Sequence, residues 1–278
     1  MNSIHVKFGT SFALCPAMKR IVGLVFIVLI FALNAFGQDS SFRTITNKAF
    51  KSGEILEFRI HYGVVDAGEA RLEVKEKTYK VQNRSTYHIV GTGYTTGAFD
   101  WFFKVRDRYE SYIDKSALIP WIFIRRVDEG GYTKNQDVTF NHFEHTATSD
   151  KLTIPVPDNV QDLISAFFYA RTLDYSNAKI GSVFPFHAYL DDEVFEMTIK
   201  YIGKEQIKTR LGTFNCIKFR PMLLQGRVFK EEEDMTVWVT DDDNRIVVRA
   251  EAKILVGSIK MDLKGYSGLA NPLTSKLK

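Results

Sequence analysis

Long apolar runs are almost missing from this chain. The longest, Ile21 to Leu33, falls short of the ~20 residues that a membrane-spanning helix needs, and nothing later comes close. Cysteine is scarcer still. Of two in the chain, Cys15 lies in the first 37 residues and Cys216 stands alone in the rest, which excludes an intramolecular disulfide there. Excess charge is missing too. The formal +4 falls to +1 once Lys7, Lys19 and Arg20, with no acid among residues 1–37, are set aside. A chain so nearly neutral gives no argument for nucleic acid or an anionic surface as partner.

Catalytic signatures are equally scarce. There is no Gly-x-Ser-x-Gly elbow and no phosphate-binding loop. Gly91-Thr92-Gly93-Tyr94-Thr95-Thr96-Gly97 is glycine-rich but lacks the Gly-Lys-Ser/Thr ending, and reads as a flexible loop or strand bend. No enzymatic activity and no cofactor is implied. His142 and His145 fall on an expected strand, where an odd spacing sends them to opposite faces, so they cannot share an ion. His61, His88 and His187 have no neighbour at zinc-type spacing, and no metal site is expected. Asp241-Asp242-Asp243-Asn244 lacks the glycine and distant glutamate of an EF-hand loop and reads as a turn. Glu231-Glu232-Glu233-Asp234 reads as a solvated strand entry, and Cys216 as a small buried hydrophobe.

What is present at the start is an address. Lys19 and Arg20 precede the apolar run, and Ala35 and Gly37 fill the −3 and −1 positions before Gln38. That order of n-, h- and c-regions is a secretory signal peptide. The expected mature chain begins at or near Gln38, is exported and soluble in the periplasm or beyond, and has no transmembrane span. Gln38 is not cysteine, which argues against a lipid anchor. The seventeen residues before Met18 read as a start codon placed too early.

Period-two alternation fills the remainder. Leu56, Phe58, Ile60, Tyr62 and Val64 alternate with Glu57, Arg59 and His61, as on a strand with one buried face. Asp66-Ala67-Gly68 then turns the chain into a second alternating run, Ala70–Val74. Similar runs recur to Tyr266, separated by turn residues, and predict about a dozen strands in a single antiparallel barrel, strongly curved sheet or sandwich. One helix interrupts them at about 160–173, where Val160, Leu163, Ile164, Phe167, Phe168 and Leu173 recur at helical spacing behind Asp158 as candidate N-cap. The expected organisation is a leader over 1–37, one β domain over 38–268 and a tail over 269–278.

Several segments together resemble the exported bacterial domain-of-unknown-function family 3108. They are the first hairpin, Leu56 to Ala70; the helix, Asp162 to Arg171; and, in the last third, Leu211–Phe214, Phe229–Asp234, Val237–Asp242 and Ala252–Ser258. The resemblance implies an exported, mostly antiparallel β protein with no assigned activity. Its architecture is also similar, at the level of fold, to the open half-barrels that carry lipoproteins across the periplasm, in which a curved sheet wraps an apolar cavity closed by helix.

Two features point toward a site. Asp107 shares the register of Val105, Tyr109 and Ile113, so its carboxylate is expected inward, either paired in the core or as a polar anchor in a ligand cavity. Phe99-Asp100-Trp101-Phe102-Phe103 holds more aromatics than one buried face requires; beyond core packing, it suits an apolar mouth or partner surface. The expected ligand-facing set is Trp101, Phe103, Asp107, Leu163, Phe167 and Phe168. The expected function is to bind or carry an apolar envelope molecule. The alternative is an assembly protein with a packed core that docks another envelope protein, and an enzyme of unrecognised type is the third reading.

Overall fold

Strand β1 (Ile55–Tyr62) shows how the alternation becomes structure: Leu56 and Phe58 are 0% and 1% exposed, while Ile55, Glu57 and Arg59 are only half-buried. The computed structural model describes residues 42–223, 235–253 and 257–277. The expected leader, the Glu231–Asp234 run and the family segments over 229–234 and 254–256 lie outside them. After β1 follow β2 (Val65–Val74), β3 (Tyr79–Val81), β4 (Arg84–Thr95), helix α1 (Gly97–Phe102), β5 (Arg106–Asp114), β6 (Pro120–Glu129) and β7 (Tyr132–Asn141). Then come β8 (Thr146–Thr148), β9 (Thr153–Pro155), helix α2 (Leu163–Ala170), β10 (Val183–Leu190), β11 (Glu193–Thr209), β12 (Gly212–Leu223), β13 (Met235–Thr240), β14 (Val247–Lys253) and β15 (Ser258–Ser267).

All fifteen strands join one antiparallel sheet. Its order is β10-β11-β12-β13-β14-β15-β1-β2-β4-β5-β6-β7-β8-β9, with β3 beside β4. The sheet is strongly curved and not closed. Its two ends come together through other contacts: Gln161, just after β9, bridges to Ala188 in β10, donating from its amide to the His187 carbonyl at 2.8 Å and accepting from Tyr189 N at 2.7 Å. The β10–β11 turn adds charge pairs across the gap, with Arg125 at 2.8 Å from Asp191 and Lys134 bonded to the same carboxylate.

The mid-chain helix is shorter than its apolar spacing predicts. Val160 and Gln161 are extended because Gln161 pairs with β10, so the cap falls at Asp162 and not at Asp158. Asp162 accepts from Ser165 N at 2.6 Å, and Ser165 Oγ accepts from Asp162 N at 2.7 Å, a reciprocal capping box. Asp158 is exposed and faces His145 at 3.0 Å. Ser111 Oγ donates to Asp162 at 2.6 Å, and burial pushes this carboxyl up to about 6.

Helix α2 separates two cores. Ile164 and Phe168 pack with Phe50, Ile89, Phe123, Val138 and Phe140 under β4–β9. Ala166, Phe167 and Ala170 turn toward Phe186, Ile199, Phe219, Val239 and Leu263 under β10–β15 and β1. A smaller cluster lies beyond the sheet, where Ile207, Phe214, Cys216, Trp238 and Val248 pack with Leu211 and Leu273. Cys216 is 1% exposed, and burial pushes its thiol up to about 12.

Three local expectations need correction. The aromatic run does not belong to a strand: Gly97, at φ +58°, turns the chain into the short helix α1, held by Thr95 Oγ1 donating to Asp100 at 2.8 Å and by Arg106 at 2.6 Å from the same carboxylate. The glycine-rich stretch therefore does lead into a helical turn, although Gly91 and Gly93 themselves lie in β4. His142 and His145 stand in the turn between β7 and β8, not on a strand. His142 is buried against the Pro120 carbonyl at 2.6 Å, while His145 faces outward. The turn Asp241–Asn244 is indeed a turn, and it fastens the C-terminal segment: Asn244 Nδ2 donates to the Asn271 carbonyl at 3.1 Å and Asn244 Oδ1 accepts from Asn271 N at 2.9 Å.

Candidate ligand cavity

Between helix α2 and the inner face of β10–β15 lies a partly enclosed cavity of about 340 Å³. Period two explains its walls. Alternate residues of successive strands, Phe186, Met197, Ile199, Phe219, Val237, Val239, Val247 and Met261, point to one face of the sheet and line it. The helix supplies Leu163, Ala166, Phe167 and Ala170, positions three and four apart that share one face. Small side chains at Ala166, Ala170 and Ala250 in that lining leave the space that larger ones would fill. The surface is almost wholly apolar.

Polar groups meet the cavity at one end. The Arg171 guanidinium grips Glu54 bidentately, at 2.5 Å and 2.9 Å, and also donates to the Asn244 carbonyl at 3.0 Å and the Ala49 carbonyl at 3.0 Å. Four of its five N–H donors are spent inside the protein. Tyr175 donates its hydroxyl to the Ala170 carbonyl at 2.7 Å, and burial raises its phenol well above the ordinary value. Arg245 lies over the Tyr175 ring at 5.1 Å and donates from Nη1 to the carbonyls of Arg171, at 3.1 Å, and Leu173. Its Nε and Nη2 have no hydrogen-bond acceptor among the described residues, and its charge reaches the Asp174 carboxyl.

The six residues expected at the ligand are not gathered in one place. Leu163 and Phe167 line the cavity. Phe168 points away from it into the other core, 1% exposed and edge-on to Phe50 at 4.7 Å between ring centres, because neighbouring helix residues are about 100° apart. Trp101 and Phe103 are outside, 90% and 49% exposed. Asp107 is half-buried on β5 and accepts from the Asp128 amide at 3.1 Å. Burial, and then the adjacent Asp107 carboxyl, hold the Glu129 carboxyl above its usual range. Among the described residues Asp107 forms no salt bridge.

Reading by helical and strand period missed Met197, Met235, Met261, Arg171 and Arg245 in the walls. Alternation marks the strand positions as inward. Only the paired small residues, Ala166 and Ala170 one helical turn apart, could have signalled that the space is left open.

With the geometry in place, the comparisons decide the lineage. The family model described as a protein of unknown function (DUF3108) matches residues 57–264. This chain belongs to the DUF3108 family. The resemblance seen in the first hairpin, the helix and the last third is thereby borne out. No curated protein matches this family member. Among solved structures it is similar to a beta-barrel-like protein of domain of unknown function DUF1849 from Brucella abortus, at 9% identity and a TM-score of 0.51, covering 82% of this chain and 99% of that one. Looser likenesses are a candidate lipoprotein from Parabacteroides distasonis, at 14% identity and TM-score 0.38 over 83% of this chain and all (100%) of that one, and a candidate exported protein with YmcC-like fold from Bacteroides fragilis NCTC 9343, at 11% and 0.32 over 81% and 99%. The Brucella protein shares the β-barrel-like fold; at such identities the likeness extends to fold alone.

Proposed function

We propose that this DUF3108 protein is an exported carrier or binder of an apolar envelope molecule, acting without chemistry of its own. The observation that carries the reading is the apolar cavity of about 340 Å³ under helix α2. Packed interiors hold few voids larger than a water, whereas ligand sites run from about 300 to 1,000 Å³. The volume sits at the low end of that range. Export is supported by the leader, Lys19 to Gly37.

Native mass spectrometry of the protein purified from the cell envelope tests both parts at once. The expected result is a polypeptide beginning at or within two residues of Gln38, carrying an added mass that organic solvent removes. A polypeptide retaining Lys19 would overturn the export reading. A mature chain that is always empty, and stays empty when offered a medium-chain fatty acid, would overturn the carrier reading in favour of an assembly protein.

A further inference from the structure

Exposed large apolar side chains are concentrated at one end of the sheet. Val64 is 92% exposed and Val65 50% in the β1–β2 turn; Trp101 is 90%, Phe102 62% and Phe103 49% at α1; Tyr132 is 56% where β7 leaves its turn. Three connections bring these segments to one rim. Thr96 N donates to the Ala67 carbonyl at 3.0 Å, Gly130 N donates to the Lys104 carbonyl at 2.8 Å, and the Phe103 ring lies against Gly130. Helix α1 has no buried residue: Trp101 stands almost wholly in solvent, and Phe102 meets the Phe99 ring at 5.2 Å between centres.

Three carboxylates on this rim are each paired with a cation, while exposed Asp128 and the adjacent Asp107 and Glu129 form no salt bridge among the described residues. Asp66 is bonded to Arg59, Glu69 is 2.5 Å from Lys264 and Asp100 is 2.6 Å from Arg106, while Lys104 next to Phe103 is exposed and forms no salt bridge among the described residues. The cavity reaches the same end. Its wall residue Met235 stands in the row Met235–Ala252–Ile259–Tyr62, the last paired row before the β1–β2 turn, and Leu163, 41% exposed, is both wall and surface.

We infer that this rim docks on a lipid bilayer surface, with Trp101 and Phe102 entering the headgroup boundary. Trp, Tyr and Phe with neighbouring cations are the side chains that settle at that depth, where an apolar body and a polar surround are both satisfied. The exposed apolar side chains come from three separate segments, which suits a fluid surface better than a partner of fixed shape. Docking would let an apolar chain pass between bilayer and cavity without crossing water. That exchange step rests on the carrier reading; the docking itself does not.

Flotation of the mature chain with vesicles of phosphatidylethanolamine and phosphatidylglycerol, read together with tryptophan emission, tests it. Trp121 and Trp238 are buried, at 0% and 7% exposure, so a blue shift on adding vesicles reports Trp101. Wild-type protein should float and its emission should shift. Trp101→Ser with Phe102→Ser should lower partitioning at least tenfold and leave uptake of a fluorescent fatty acid in solution unchanged, because neither residue touches the cavity. Ile180→Ser, at a residue 78% exposed elsewhere, should leave partitioning as in wild type. Wild-type protein that stays unbound, or a double variant that floats as well as wild type, overturns the docking, and in either case fatty-acid uptake still decides the carrier reading separately.

Discussion

Arg171→Met and Glu54→Gln, made singly, are each expected to cost the fold about 3–5 kcal/mol, the usual cost of breaking a buried ion pair by removing one partner. The two side chains are 3% and 1% exposed, and the guanidinium is the hub where the end of α2, the segment before β1 and the turn after β13 meet. With Glu54 replaced, a buried cation keeps two carbonyl partners but loses its counter-charge. With Arg171 replaced, the carboxylate loses its partner and the Asn244 and Ala49 carbonyls lose a donor. Urea unfolding reads the effect, and at about 2–4 °C per kcal/mol for a chain of this size thermal unfolding should fall by ten degrees or so. The double variant should recover part of the loss, since no uncompensated charge then remains. A single variant within about 1 kcal/mol of wild type would contradict the account of what holds α2 in place.

Two neighbouring phenylalanines are expected to behave differently on truncation. Phe168→Ala should cost about 3–5 kcal/mol, the range for emptying a packed site. Its ring is 1% exposed, edge-on to Phe50, and under the Arg171 guanidinium at 5.2 Å. Phe167→Ala should cost only about 1–2 kcal/mol, because a half-buried ring that already borders open space gives up less apolar burial and widens a cavity instead of creating one. Urea midpoints of the two variants check the order. Equal losses, or a larger loss at Phe167, would mean that the cavity face is packed.

Much of this arrangement can be read from the chain without coordinates. Leu56 and Phe58 alternate with polar neighbours and are buried as alternation requires, and the apolar spacing of Ile164, Phe167 and Phe168 marks a helix at mid-chain. The helix start was misplaced because Asp158 and Asp162 are equally good caps locally; only the pairing of Gln161 with β10, a contact made by a distant strand, selects the second. The aromatic run fared worse. Four aromatics around Asp100 fit a strand by propensity, and the Gly97 turn that makes them a protruding helix depends on Thr95 and Arg106 fixing Asp100. Candidate ligand residues were legible only in part, since α2 borders two cores and helical period does not say which core is filled and which is left open.

The central claim is that the space beneath α2 is a binding cavity, and a fluorescent medium-chain fatty acid titrated against wild type and Val237→Phe tests it most directly. Val237 lies mid-wall on β13, paired between Phe219 and Ala250, where phenylalanine keeps the strand preference and adds volume toward the cavity. The account predicts saturable uptake by wild type, at least tenfold weaker uptake by the variant, and a variant as stable as wild type or more so. Absence of uptake by wild type, together with a loss of about 1–3 kcal/mol in Val237→Phe, the range for overpacking a filled core, would contradict it.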